Sequence, residues 1–286
     1  MKALIFGSGG YIGTYLADAL KLRGYEVIAE SSSKDGAAID PRQGCIKDGY
    51  KFPVGIDVVF YLSQSPHYRN LPLQFEHLMA VNCFAAYRVA KMAAAAGVSK
   101  FIYTSTGTVY EPAFTPLSED SRLCCDDLYS LSKIAAERVL QNIGEDIQIC
   151  CARLFGVYGP NQTNKMFPNL CHRLSNRQNI YLEYDPKTRE HSGLRLSVTY
   201  VADVVSALIA LSEMGAPLPV VNVSSLDAPS IREIVIALAA RLGISPEFEE
   251  LDREVRGYYI ANSSLLRNNI ERMDTPLSVG LDYCIK

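Results

Sequence analysis

A tyrosine and a lysine stand four residues apart in Tyr129-Ser130-Leu131-Ser132-Lys133, a spacing that sets both on one face of a helix. A phenol, with an ordinary pKa of about 10, is a weak base at neutral pH. A neighbouring ammonium favours its ionised form, so the pair suits passing a proton to and from a substrate oxygen. Just upstream, Phe101-Ile102-Tyr103-Thr104-Ser105-Thr106 reads as a strand ending in three hydroxyls. Hydroxyls at the C-terminal edge of a parallel strand sit where ligands bind in open sheets.

A second constellation lies at Gly7-Ser8-Gly9-Gly10-Tyr11-Ile12-Gly13, between an apolar run and a helical period. The first glycine allows a sharp turn, the second lets backbone approach a pyrophosphate, and the third lets helix pack on strand. The helix start then offers its N–H groups to phosphate. Gly7, Gly10, Tyr11, Ile12 and Gly13 are therefore expected to hold a dinucleotide. The second strand ends in Ala29-Glu30-Ser31-Ser32-Ser33-Lys34. A carboxylate there would hold a free ribose 2′-hydroxyl, whereas hydroxyls and a cation would hold a 2′-phosphate. Because successive strand residues face opposite ways, a reading position at Ser31 makes Ser31, Ser32, Ser33 and Lys34 a phosphate cradle. The reading is NAD or NADP, leaning to NADP.

These residues need elements to position them. Strand signals fall at residues 3–6, 25–29, 56–62, 100–106, 147–154 and 220–223. Helical periods fall at 11–22, 75–96, 129–143, 201–211 and 231–242. The alternation implies an α/β, doubly wound parallel sheet with helices on both faces. Beyond Gly159-Pro160 the stretch 161–193 is polar with a short helix near 167–174. The expected organisation is a Rossmann-type dinucleotide domain over 1–160, with 199–225 returning to it. A smaller C-terminal substrate lobe is expected from 161–198 and 226–286.

Composition narrows the function class. The 286 residues carry 28 Lys and Arg against 31 Asp and Glu, a formal charge of -3, which argues against nucleic acid or an acidic membrane as partner. No apolar stretch approaches a membrane span, and the opening run is too short for a signal peptide. The eight cysteines include adjacent pairs and no C-x-x-C, so they read as small apolar residues of a reducing, cytoplasmic protein with no metal site.

Taken jointly, several stretches resemble the extended short-chain dehydrogenase/reductases, the NAD(P)-dependent nucleotide-sugar epimerase and dehydratase family. They are GSGGYIG at Gly7, VN at Val81-Asn82, FIYTSTGTVY at Phe101, YSLSK at Tyr129, ARLFGVYGP at Ala152, TYVADVV at Thr199, VNVSS at Val221 and TPLSVGL at Thr275. The resemblance implies that Tyr129 is the acid/base and Lys133 its electrostatic and ribose-binding partner. It implies that Thr106, with Ser105 as the neighbouring alternative, hydrogen-bonds the reacting sugar oxygen, and that Asn82 supports those bonds. Asp40 matches a residue on the adenine side, and Leu62 and Ser63 end the third strand beside the cofactor.

Departures from the family pattern refine the expectation. The 4,6-dehydratases carry an Asp-Glu pair where this chain has Gly107-Thr108, so that dehydration lacks its acid and base. Gly156 stands where epimerases often carry an asparagine touching substrate. An arginine that grips the diphosphate falls on Leu196, leaving Arg195, Arg189 or Lys187 to bind it. The reading is thus a nucleotide-sugar epimerase. An NAD(P)H-dependent ketoreductase of a 4-keto sugar nucleotide or other small ketone is the alternative, and a non-catalytic redox sensor a second one. Helices 75–96 and 129–143 are expected side by side on one sheet face. Leu78, Val81, Ala85 and Val89 would point inward, while Phe84, Tyr87 and Met92 lie off that stripe. Family relatives pair through these helices, which implies a homodimer.

Overall fold

The structure is a computed structural model, and it describes residues 1–31, 37–144, 146–216, 218–271 and 274–285. Ten strands occur among them: β1 Lys2–Phe6, β2 Glu26–Glu30, β3 Val58–Tyr61, β4 Lys100–Thr106, β5 Gln148–Leu154, β6 Val157–Tyr158, β7 Ile180–Tyr184, β8 Thr199–Tyr200, β9 Val220–Val223 and β10 Phe248–Glu254. The α-helices are α1 Tyr11–Leu22, α2 Phe75–Met79, α3 Ala86–Ala95, α4 Leu128–Gln141, α5 Met166–Ser175, α6 Val201–Glu213, α7 Ile231–Leu242, α8 Ser264–Asn269 and α9 Leu277–Cys284.

A six-stranded sheet runs in the order β2-β1-β3-β4-β5-β9. Its β1·β2, β1·β3, β3·β4 and β4·β5 pairs are parallel, the Rossmann-type arrangement. Strands covered on both faces read as continuous apolar runs, and all four residues of β3 are fully buried. Helix α1 buries only Gly13, Leu16, Ala17 and Leu20, the one-sided stripe of a helix lying on a sheet.

The chain forms two compact units. The first comprises Met1–Val109, Arg122–Leu154 and Val205–Val221. The second comprises Tyr110–Ser121, Phe155–Val204 and Asn222–Lys286. The second unit has its own core, in which Phe167, Leu170, Leu174, Ile180, Leu182, Ile234, Val235 and Leu238 are buried together. Its helix α7 starts at a reciprocal capping box between Ser230 and Glu233.

Two expectations need correction. The stretch 161–193 is not merely polar with one helix, because it contains β7, which pairs in parallel with β10. β7, Ile-Tyr-Leu-Glu-Tyr, is a short alternating run that buries Ile180 and Leu182, and its partner β10, Phe-Glu-Glu-Leu-Asp-Arg-Glu, is too charged to announce a strand beside it. Nor is 75–96 a single α-helix, since a π-helical turn spans Ala80–Ala85 between α2 and α3. Such a turn releases carbonyls from the regular ladder. Here the Val81 and Asn82 carbonyls accept from the hydroxyls of Tyr61 at 2.6 Å and Tyr103 at 2.8 Å. Both tyrosines are wholly buried on β3 and β4. The inward stripe is as expected, with Leu78, Val81, Ala85 and Val89 all buried. Among the described residues no helix is long and apolar enough to cross a membrane.

Candidate active site

Strand β4 and helix α4 bring the chemistry together within the first unit. Asp127 caps α4 by accepting from the Ser130 N–H at 2.9 Å. This sets the Tyr129, Lys133 and Glu137 series on one face at helical spacing. The Tyr129 hydroxyl donates to Gln64 Oε1 at 3.0 Å. Burial pushes the Tyr129 phenol well above its ordinary range, opposed by the Thr106 side chain and reinforced by Tyr68 and Asp127.

Lys133 is 2% exposed, and its Nζ donates to the Thr104 carbonyl at 2.9 Å while lying 4.8 Å from the Tyr103 ring centroid. Burial lowers this ammonium to about 7, against a raising influence of Glu137. Glu137 in turn is held by Arg153 of β5, with Nη2 to Oε2 at 2.6 Å and both side chains buried. The helix thus carries a buried amine one turn from Tyr129, with a fixed ion pair one turn beyond it.

Asn82, which no solvent reaches, donates from Nδ2 to Ser132 Oγ at 3.0 Å and accepts at Oδ1 from the Ser65 N–H at 3.1 Å. It therefore ties the π turn to α4 on one side and to the loop after β3 on the other. Thr106 Oγ1 lies 3.1 Å from Thr108 Oγ1. Ser105 is 5% exposed, and its Oγ finds no hydrogen-bond partner among the described residues. Gln64, Ser132, Glu137 and Arg153 were not expected from sequence. The only signal for Gln64 was its place just beyond the C-terminal end of β3.

The glycine turn fits a dinucleotide. A Cβ at Gly13 would lie 2.1 Å from the Gly7 carbonyl oxygen, and one at Gly7, whose φ is +85°, 2.7 Å from the Ser63 nitrogen. Backbone packs so closely here that side chains are excluded, which leaves room for a phosphate. Helix α1 begins at Gly10 with no side-chain cap, and its first residues, Tyr11 and Ile12, are half-buried. Leu62 and Ser63 line the same edge, where the Leu62 N–H donates to the Phe6 carbonyl at 2.8 Å.

The nucleotide-selecting end is more crowded. The Glu30 carboxylate accepts from the Ala38 N–H at 3.3 Å and the Tyr50 hydroxyl at 3.4 Å. Ser31 follows β2 and is half-buried, whereas Ser32 and Lys34 lie outside the described residues. Asp40 Oδ1 accepts from the N–H groups of Arg42 and Gln43 at 2.7 and 3.0 Å, and those bonds hold its carboxyl below the usual range.

In the second unit, Arg195 lies 3.4 Å from the Glu233 carboxylate and Arg189 stacks 4.0 Å from the Tyr184 ring centroid. Gly156 has a physical reason for not being asparagine. Its φ is +44°, and a Cβ there would meet the Ser197 carbonyl oxygen at 2.2 Å.

Residues 3–224 match the family described as the NAD dependent epimerase/dehydratase family. Over 263 residues the chain is 26% identical to an uncharacterized UDP-glucose epimerase, YtcB, of Bacillus subtilis, covering 82% of this chain and 80% of that protein. It is 30% identical over 176 residues to the dTDP-D-glucose 4,6-dehydratase of Mus musculus, covering 59% of this chain and about half, 47%, of that relative. A solved UDP-glucuronic acid 4-epimerase from Bacillus cereus, in complex with UDP-glucuronic acid and NAD, superposes with a TM-score of 0.83. That match is 24% identical and covers 99% of this chain and 97% of the other.

Proposed function

The chain belongs to the NAD dependent epimerase/dehydratase family, and we propose that it is an NAD(P)-dependent epimerase of a nucleotide sugar, with Tyr129 as its acid/base. The observation that carries this reading is the buried Tyr129 hydroxyl, bonded to Gln64 and with its pKa lowered by the Thr106 side chain, on a helix whose next turn buries Lys133. A bound nicotinamide would supply a reversible hydride acceptor for a hydroxyl-bearing carbon of the substrate. Tyr129 takes the hydroxyl proton as the carbonyl forms and gives it back as the alcohol re-forms. Thr106 orients the reacting oxygen, and Lys133 stabilises the phenolate and binds the ribose. Asn82 holds the helix and loop in register, with Ser105 as the neighbouring hydroxyl. Gly7, Gly10, Tyr11, Ile12 and Gly13 hold the pyrophosphate, Leu62 and Ser63 flank it, and Asp40 lies toward the adenine. Ser31 fits a 2′-phosphate and Glu30 a free 2′-hydroxyl. Arg195 and Arg189 supply the charge for the substrate diphosphate.

The alternative is a ketoreductase of a 4-keto sugar nucleotide, and one observation favours it. Burial keeps Tyr129 protonated, the form that donates to a ketone. Neither reading requires the acid and base of a dehydratase, and residues 107 and 108 are glycine and threonine.

Incubating the protein with each cofactor and a panel of UDP-, dTDP- and GDP-sugars tests both. An epimerase yields a stereoisomer with no net change in cofactor absorbance, whereas a reductase consumes reduced cofactor mole for mole. Tyr129→Phe should lower either rate by about 10²–10⁴-fold while cofactor still binds. Wild-type turnover in that variant, or no turnover of any nucleotide sugar by the native enzyme, would sink the proposal.

A further inference from the structure

The loop after β3 presents an amide to the phenol in a way the sequence pattern did not foresee. We propose that the Gln64 carboxamide serves Tyr129 in both of its protonation states, its oxygen accepting from the phenol and its NH2, once the amide turns over, donating to the phenolate. This rests on the reading of Tyr129 as the acid/base.

Geometry supplies the first part. The Tyr129 hydroxyl already donates to Gln64 Oε1 at 3.0 Å, and the backbone on both sides of Gln64 is fixed. On one side the Leu62 N–H reaches the Phe6 carbonyl at 2.8 Å. On the other, the Ser65 N–H reaches Asn82 Oδ1 at 3.1 Å, and Ser65 Oγ lies 2.8 Å from His77 Nδ1. That imidazole is anchored in turn, its Nε2 lying 3.2 Å from the Pro41 carbonyl oxygen. The terminal torsion of the amide is broad and roughly two-fold, so the carboxamide can turn over where it stands.

Chemistry supplies the second. A carboxamide offers an acceptor and two donors in one neutral plane. An acid/base that gives and takes the same proton in one turnover needs a partner for each state, and a buried phenolate without a donor is costly. The groups facing Tyr129 do not otherwise balance. Asp127 at the start of its own helix and Tyr68 in the loop push its phenol up, and Tyr103 of β4 couples to it unfavourably. Thr106 of β4 favours the ionised form, and Lys133 is the cation on its own helix. A neutral amide adds no charge to this set, whereas a carboxylate at position 64 would oppose the phenolate outright. Throughout, the proton passes between the Tyr129 oxygen and the substrate oxygen, and Gln64 keeps its own.

The test places a single fluorinated tyrosine at position 129, more acidic than tyrosine, and reads its ionisation midpoint by fluorine NMR. The cofactor-loaded wild type is compared with Gln64→Glu and Gln64→Leu. The near-isosteric Gln64→Glu should raise the midpoint by about one unit or more, and Gln64→Leu should raise it by less, having lost the phenolate donor without gaining a charge. In a turnover assay, the rising limb of the Gln64→Glu rate–pH profile should move upward by the same amount. Equal midpoints in all three proteins overturn the proposal, as does a loss of rate uniform across pH. A raised midpoint in a protein that turns over no nucleotide sugar would leave the role of Gln64 standing and remove the proposed function instead.

Discussion

At the level of single residues, the buried Lys133 decides the most. Its ordinary value is 10.5 and its folded value about 7, so between those limits the unfolded chain binds more protons than the folded one. Stability must then rise with pH across that window. The burden is full below about 7 and gone above about 10.5, amounting to roughly 5 kcal/mol by that shift. Lys133→Met should therefore melt several degrees higher than the wild type at pH 7, with the gap closing toward pH 10, while losing cofactor affinity and turnover. Calorimetry across pH checks the first part, and an equal gap at both ends would refute it. Burial also raises Tyr129, so the variant should regain no rate below pH 10, where an exposed phenol would have ionised unaided. The two hydroxyls of β4 give a second comparison. The Thr106 side chain favours ionisation of Tyr129, whereas Ser105 Oγ is buried with no hydrogen-bond partner among the described residues. Thr106→Val should thus cost at least tenfold in kcat, as the loss of a bond to a reacting group does, and Ser105→Ala little. The reverse order in steady-state kinetics would shift the reactive hydroxyl by one residue. Spacing made Tyr129 and Lys133 candidates, and the family resemblance added Thr106. Neither could find Gln64, because a glutamine in a loop belongs to no period and no motif.

Among the elements, the π turn at Ala80–Ala85 shows where periodicity fails. An apolar stripe reports which face is buried, and Leu78, Val81, Ala85 and Val89 gave that face correctly. It carries no record of one wider turn, whose carbonyls accept from donors supplied by other elements. The donors here are the Tyr61 and Tyr103 hydroxyls, whose partners become buried and unpaired when either tyrosine is replaced by phenylalanine. Each replacement should cost about 1–3 kcal/mol in denaturant unfolding. Tyr103→Phe should also lower kcat, since it frees the carbonyl of Asn82, whose side chain ties the loop to α4. A stability loss with unchanged kcat would show that the π turn is only packing. The edge strand β10 escaped the sequence for a different reason. Five of its seven residues are charged, and only the register with β7 makes it a strand.

For the whole molecule, the decisive residues are the apolar ones that the chain leaves outside its own core. Phe84 is 62% exposed, Tyr87 41% and Val139 36%. The first two project from the π turn and the start of α3, the third from α4. The segments that carry them pack against each other within the first unit, so the three belong to one pair of adjoining helical segments rather than to scattered surface sites. Isolated exposed apolar residues need no explanation, but a cluster on adjoining helices commonly marks an interface. A two-fold axis beside these helices would set the same patch against itself, as isologous pairing requires. The resulting four-helix contact would cover all three residues without touching the site on the sheet edge. Light scattering at micromolar concentration should therefore give twice the 31.6 kDa of one chain, and Phe84→Glu with Tyr87→Glu should return it to one. The double variant puts two carboxylates from each chain into an apolar contact, where unpaired charge is strongly disfavoured. Because neither residue belongs to the inward stripe, the monomer should keep its fold and melt cooperatively. A native mass of one chain removes the dimer, and a dimer that survives both substitutions places its interface on another face.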